Sequence, residues 1–217
     1  MMRKTIGIVG GTGKQGMGLA LRWAGLHDVI IGSRDRARAA AQAGEASAKA
    51  GQAIRSGSNE DAVREADVVA LCVPYAAHTA TITELSPLLA GKIILDMTVP
   101  LEPPRVTVVH LPKGGAAALE TQAIVGPSGR VVAALHHVSS VHLGDLGHSL
   151  EGDVLVCGDD AEAKATVIGL IEALGMRGID AGALANAVAA EALTPVLLHI
   201  NKRYKVRGAG LKILGIP

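Results

Sequence analysis

The stretch from Thr5 to Gly18, T-I-G-I-V-G-G-T-G-K-Q-G-M-G, constrains this chain more than any other. An apolar run (Ile6, Ile8, Val9) enters a turn at Gly10. Gly11, Gly13 and Gly16 then fall at G-x-G-x-x-G spacing, ahead of a helix-like stretch through about Gly25. Strand, tight turn and helix in that order are the signature of a dinucleotide site. Gly11 is expected to let the backbone turn sharply, Gly13 to leave room for a pyrophosphate against the main chain, and Gly16 to let helix and strand pack closely. The unpaired N–H groups and positive dipole end of the helix would face the anion.

A second apolar run, Val29 to Ile31, arrives one helix length later. Gly32-Ser33-Arg34 follows it, about 22 residues beyond Gly11, where such folds inspect the adenosine ribose. A site for an unphosphorylated ribose would place a carboxylate there, but this chain has a hydroxyl and a guanidinium. Both suit a 2′-phosphate, and Arg38, one helical turn on, faces the same way as Arg34. Charge-assisted hydrogen bonds contribute roughly 1.5–3 kcal/mol each, enough to shift cofactor preference about ten- to a hundredfold. The reading is NADP rather than NAD. The competing reading makes Arg34, Arg36 and Arg38 only the solvated face of the next helix, with Asp35 pairing to Arg38 and blunting the effect.

The rest of the chain alternates in the manner of a doubly wound sheet. A helix is expected from Asp35 to about Ala50, a short strand near Ala53 to Arg55, and a helix opened by Asn59 as N-cap. A buried strand follows from Asp67 to Val73, and it ends at Pro74-Tyr75 on the ligand edge of the sheet. A helix over about 77–89 and a strand from Lys92 to Asp96 come next. Met97 to Gly115 is rich in Pro and Gly; it reads equally as a flap over a site or an ordinary long connection, with Val106 to Leu111 as a short strand. A helix over 116–124 and a strand from Arg130 to Leu135 complete residues 1–148, a Rossmann-type dinucleotide-binding unit. Residues 149–217 are expected to form a smaller α/β domain of strand (Asp153 to Cys157), helix (Asp160 to Leu174), strand (Met176 to Asp180) and a long apolar helix (Leu184 to about Lys202).

Composition narrows the chemistry. Net charge is +1, so nothing points to nucleic acid or an acidic membrane, and no apolar run approaches the roughly 18 residues of a membrane span. With no signal-like start and with Cys72 and Cys157 in separate apolar runs, the expected setting is a reducing cytoplasm. Phenylalanine is absent, and Trp23, Tyr75 and Tyr204 are the only aromatic residues. A flat ligand would therefore lie on peptide planes, aliphatic side chains or another flat ligand.

The histidines at 136, 137, 142 and 148 fit no compact metal-ligand spacing, and no metal is expected. No Y-x-x-x-K, nucleophile elbow or P-loop occurs. A nicotinamide site without an obvious general acid favours a hydride transfer that needs little acid–base help, or binding without catalysis. His136, at the end of a strand, is a pocket candidate. Pro195 inside the last helix should kink it beside Thr194, and the basic tail (Lys202, Arg203, Lys205, Arg207, Lys212) is either a rail for an anion or a solvated helix end.

Several passages together resemble the coenzyme F420-dependent NADP oxidoreductases (NADPH:F420 reductases): G-G-T-G-K-Q-G-M-G-L-A-L-R (10–22), I-G-S-R (31–34), V-P-Y (73–75), A-L-H (134–136), V-C-G-D-D (156–160), D-A-G-A-L (180–184) and E-A-L-T-P (191–195). The likeness runs nearly the full length. NADPH-binding domains of membrane metalloreductases share the core, yet this chain has no span to match theirs. The resemblance implies reversible hydride exchange between carbon 4 of the nicotinamide and carbon 5 of the deazaflavin, with the rings stacked between the two domains of a homodimer's subunit. Gly11, Thr12, Gly13, Lys14, Gln15 and Gly16 would form the pyrophosphate turn, and Ser33, Arg34 and Arg38 would hold the 2′-phosphate. Val73, Pro74, Val99 and Ser140 would line the nicotinamide side. Tyr75, His136, Thr194 and the 208–211 turn with Ala209 and Gly210 would line the deazaflavin side. No residue is implied as an acid or base. The chain departs from the family where members often carry tryptophan in place of Tyr75, where a histidine falls one place late at His78, and where H-H-V-S-S (136–140) replaces H-T-I-P-A. A reductase of a small imine or carbonyl and a non-catalytic NADP-binding module remain as other readings.

Overall fold

The computed structural model describes residues 2–216. Its strands are β1 (Thr5–Val9), β2 (Asp28–Gly32), β3 (Arg55–Gly57), β4 (Val68–Leu71), β5 (Ile93–Asp96), β6 (Arg130–Ala133), β7 (Asp153–Gly158) and β8 (Arg177–Asp180). They form one sheet in the order β3-β2-β1-β4-β5-β6-β7-β8. The first six are parallel, β1 sitting between β2 and β4 with Ile8 opposite Ile31 and Ala70. That is the doubly wound arrangement expected, with the reversal of strand order beside β1.

Among the described residues, eight α-helices flank the sheet: α1 (Lys14–Trp23), α2 (Arg36–Ala50), α3 (Asn59–Glu65), α4 (Tyr75–Leu85), α5 (Ala117–Val125), α6 (Ser140–Gly144), α7 (Ala161–Glu172) and α8 (Ala187–Tyr204). The central strands are buried along their whole length, which is why they read as apolar runs rather than alternating ones. One apolar layer carries Leu19 and Trp23 of α1, Ala39 and Ala43 of α2, and Leu170 of α7. The opposite layer carries Val63 of α3, Ile82 of α4, Ala118 of α5 and Ala190 of α8. Trp23 is fully buried and its indole N–H donates to the Leu170 carbonyl at 3.0 Å, so α1 and α7 share one anchor.

Strands on both sides of residue 148 share this sheet. β7 runs antiparallel to β6 through the pairs Val132–Gly158 and Ala133–Cys157, and β8 pairs parallel to β7. An apolar strand such as β6 leaves an unpaired edge unless another strand covers it, and β7 supplies that cover.

Local chemistry corrects several other expectations. Ser58, not Asn59, caps α3: its hydroxyl accepts from the Asp61 N–H while the Asp61 carboxylate accepts from the Ser58 N–H, a complete capping box. The third strand lies two residues later than expected, at Arg55–Gly57. α4 begins at Tyr75, because Pro74 with its fixed φ makes the turn into it. Val106 to Leu111 forms no strand, and the whole of 97–115 is irregular. β6 ends at Ala133, and Leu135 adopts φ +64°. The short helix α6 was not foreseen; it packs on α1 so closely that a Cβ at Gly18 would lie 2.6 Å from Leu143. α8 continues through Pro195 to Tyr204.

Candidate active site

β1 delivers the chain into the glycine turn. The residue with positive φ is Gly10 (φ +69°), where a Cβ would also meet Val73 at 2.8 Å. The sharp turn expected of Gly11 therefore belongs to Gly10. Gly11 and Gly16 pack against each other instead, a Cβ on Gly16 falling 2.7 Å from the Gly11 Cα. Gly13 is exposed, and a Cβ there would have no neighbour nearer than 3.5 Å, which leaves the main chain open to a ligand. It is also the N-cap of α1, without a side-chain cap and with no acid in the first turn. An uncapped helix N-terminus of this kind fits a pyrophosphate. The Asn59 side chain, free of the capping role, accepts from the Gly10 N–H at 3.2 Å and so ties α3 to the turn.

At the end of β2, Ser33 is buried and its Oγ accepts from the Asp35 N–H at 3.1 Å, which keeps the hydroxyl proton for a ligand. Asp35 caps α2 through the Arg38 N–H at 3.0 Å, and Arg36 pairs with Asp61 at 2.7 Å. Among the described residues, the Arg34 and Arg38 guanidinium groups meet no carboxylate. The blunting pair between Asp35 and Arg38 is absent because the carboxylate is engaged by the helix end. Two unpaired guanidiniums beside a buried hydroxyl fit a phosphate monoester.

From these arginines a cavity of about 870 Å³ runs along the ligand edge of the sheet. Thr12, Gly13, Lys14 and Gln15 line its middle, with Val73, Pro74 and Val99 further along, and Tyr75, His136 and Thr194 close its far end. Leu101, Pro103 and Val106 add a wall from the irregular segment, which is what a flap would contribute. Ser140 and Ala209 do not reach this cavity. They line an adjoining one of about 260 Å³, which shares Gln15, His136 and Thr194 with the first. Gly210 lies outside both, against the Asp153–Leu211 region. The 208–211 turn is tied back by Asn201, whose side chain accepts from the Ala209 N–H at 2.9 Å, and by Ser139, which donates to the Arg207 carbonyl at 3.1 Å.

The far end rests on buried polar groups whose partners sequence reasoning missed. His78, one place late for the family pattern, is fully buried with its Nε2 3.1 Å from the Asp96 carboxylate. The Thr121 hydroxyl donates to Asp96 at 2.5 Å and the Thr98 N–H at 2.9 Å. Burial works against charge on Asp96, but these donors outweigh it and hold the carboxyl below its ordinary range. Glu191, 2% exposed, accepts from the N–H groups of Ala117 (2.7 Å) and Ala118 (3.0 Å), capping α5 from 73 residues away. Burial, helped by Asp96 and Glu120, pushes its pKa up to about 8 against the pull of those two N–H groups. The signal for Glu191 was negative: G-G-A-A-A before α5 offers no capping side chain of its own.

Neither residue positioned as a proton donor is suited to the task. Burial lowers the His136 pKa to about 4, despite the attraction of Asp96, so the ring is neutral. It is 5% exposed and neither ring nitrogen has a partner among the described residues. The Tyr75 phenol donates to Glu120 at 3.0 Å, and burial with that carboxylate pushes its pKa up to about 12. Its ring stacks on His78 with centroids 5.9 Å apart.

Comparison with known proteins meets this geometry. The family model described as NADP oxidoreductase, coenzyme F420-dependent, matches residues 5–100. The F420-dependent NADP reductase of Methanocaldococcus jannaschii is 38% identical, covering 97% of this chain and 98% of that one. The chain belongs to this family. A second member, the F420-dependent NADP reductase of Methanothermobacter thermautotrophicus, is 35% identical over 100% of this chain and 97% of its own. The crystal structure of an Arthrobacter sp. FB24 protein, provisionally named an F420-dependent NADP reductase, superimposes with a TM-score of 0.82 at 27% identity, covering 98% of this chain and all of that one. These two relatives align over 97% and 100% of this chain, a span that includes the residues at both ends of the cavity.

Proposed function

We propose that this protein is an oxidoreductase that exchanges a hydride between NADP(H) and the deazaflavin coenzyme F420. One observation carries the reading: a single cavity leads from two unpaired arginines, past an uncapped helix N-terminus, to an end lined by Tyr75, His136 and Thr194, where the His136 ring is neutral and the Tyr75 phenol is engaged by Glu120. When bound, the two coenzymes supply the chemistry themselves, a hydride passing between nicotinamide carbon 4 and deazaflavin carbon 5.

The chain's own residues bind and orient. Ser33, Arg34 and Arg38 hold the 2′-phosphate, and Thr12 to Lys14 with the main-chain N–H groups at the start of α1 hold the pyrophosphate. Val73, Pro74 and Val99 form an apolar bed for the nicotinamide, while Leu101, Pro103 and Val106 exclude water above it. Tyr75, His136 and Thr194 form the wall for the second ring, with Ser140 and Ala209 behind them in the adjoining cavity. Residues 149–217 contribute to that wall mainly through α8. Holding two reactants in register converts a bimolecular step into an effectively unimolecular one, and that is where the rate arises.

A reductase of imines or carbonyls would need a proton donor beside the nicotinamide. The neutral, buried His136 and the Glu120-bound Tyr75 both count against it. Mixing the protein with NADPH and oxidised F420 and following the visible band of the deazaflavin tests the reading, and bleaching is expected. Consumption of NADPH only with an imine or carbonyl, or tight NADPH binding without turnover, would overturn it. We also propose a cytoplasmic homodimer, on the strength of two free cysteines and the exposed Val196 and Tyr204 along α8; light scattering checks the assembly.

A further inference from the structure

Gln15 stands in the first turn of α1, within the stretch expected to meet the pyrophosphate. Its side chain points elsewhere. The amide Nε2 donates to the Leu135 carbonyl at 3.2 Å and lies 3.9 Å from the Met97 sulfur. An amide with both N–H groups so directed has only its oxygen to offer, and an oxygen repels phosphate.

The group it holds is unusual. Leu135 is fully buried, is not glycine, and has φ +64°. Such a conformation is strained for a residue with a side chain and persists where its surroundings over-determine it. Here they do: the Leu135 carbonyl accepts from Gln15 and also from the Val138 N–H at 3.3 Å. The next carbonyl, that of His136, accepts from the Thr194 hydroxyl at 3.0 Å. Two successive carbonyls are thus gripped by side chains from α1 and α8, and the peptide between them carries the His136 ring. Gln15, His136 and Thr194 each line both cavities, so this grip lies where the two meet.

We propose that Gln15 is a positioning residue which, through the Leu135 carbonyl, fixes the backbone bearing His136 at the junction of the two cavities and takes no part in holding the pyrophosphate. The inference rests on the reading that the hydride crosses at this junction. It adds that the register of the second wall is set from the helix that begins the NADP site, so the two ring sites share one frame.

Gln15→Met removes both donors at nearly constant length, and Gln15→Leu is a second variant of different shape. Three measurements decide: NADPH Kd by fluorescence titration, kcat with saturating NADPH and F420, and the His136 ring-proton shifts by NMR in the NADPH complex. The expected result is a Kd within about twofold of the parent, a kcat about ten- to a hundredfold lower, in keeping with the rate lost to small misplacements, and displaced His136 signals. A Kd weakened about tenfold or more at unchanged kcat would make Gln15 a pyrophosphate ligand and overturn the proposal. Unchanged kcat and unchanged His136 signals, or failure of both variants to fold, would overturn it too. If the parent does not bleach F420, the functional reading falls, while the His136 signals and the NADPH Kd still decide the role of Gln15.

Discussion

The two ends of the cavity are built in different ways. The arginine end is local: turn, helix and second strand lie within residues 5–38, and their donors are left free for a ligand. The far end is assembled from Tyr75, Leu135-His136 and Thr194, which lie tens of residues apart, and its Tyr75 phenol, Thr194 hydroxyl and the Leu135 and His136 carbonyls are engaged by other protein groups. Binding energy at the first end comes from unpaired charge, whereas the second end supplies shape held by buried hydrogen bonds. Damage should therefore separate, with specificity and affinity for NADP lost at one end, and stability and the fit of the second ring lost at the other.

The largest effect is expected at the buried node of the far end. Asp96→Ala leaves His78, Thr121 and the Thr98 N–H without their acceptor, and breaking such a pair typically costs about 3–5 kcal/mol. Urea unfolding should show that loss, and a protein as stable as the parent would break the comparison. Next comes Arg34→Glu, which should raise the NADPH Michaelis constant about a hundredfold while barely changing that for NADH; equal changes for both would refute the phosphate role. Asn59→Ala frees the Gly10 N–H and should weaken NADPH binding about tenfold, with kcat at saturation unchanged. Tyr75→Phe removes one hydrogen bond to Glu120, worth about 0.5–1.5 kcal/mol. It should shift the F420 Michaelis constant a few-fold and leave that for NADPH alone.

A further difference lies in pH dependence. Glu191 carries a pKa raised from 4.5 to about 8, so between those values the folded chain binds more protons than the unfolded one. Its contribution is fully present below about 4.5 and is lost as pH rises through about 8. His136 is lowered from 6.5 to about 4, so there the unfolded chain binds the extra proton. That contribution is present above about 6.5 and is lost as pH falls through about 4. Urea unfolding from about pH 4 to 9 should show both slopes, and Glu191→Gln should flatten the alkaline one only. An unchanged alkaline slope in that variant would separate Glu191 from it.

The same division explains what could be read in advance. The alternation of strands and helices and the glycine turn were legible because each depends on neighbours within a few residues, and Ser33, Arg34 and Arg38, named from their place after β2, line one cavity. Even there the detail slipped: the left-handed residue is Gly10 rather than Gly11, and Asn59 braces the turn instead of capping α3. Ser140, Ala209 and Gly210 were carried over from the family pattern, and the fold sets the first two behind His136 and the third away from the cavities. His78 stood out only as a displaced histidine and Glu191 only within the E-A-L-T-P passage, and the pairing of Asp96 and Glu191 gave no pattern, since a lone acid in an apolar strand or helix has no marker until its partner is known.

By itself the sequence determined the alternation of strands and helices and the place of the glycine turn, because backbone periodicity and glycine geometry are properties of short segments. The tertiary structure alone decided that residues 149–217 extend the first sheet, that Glu191 caps a helix 73 residues away, and that Gln15 faces Leu135 instead of an anion. Those outcomes turn on which buried donor finds which acceptor. Burial makes that choice obligatory, and chain order does not specify it.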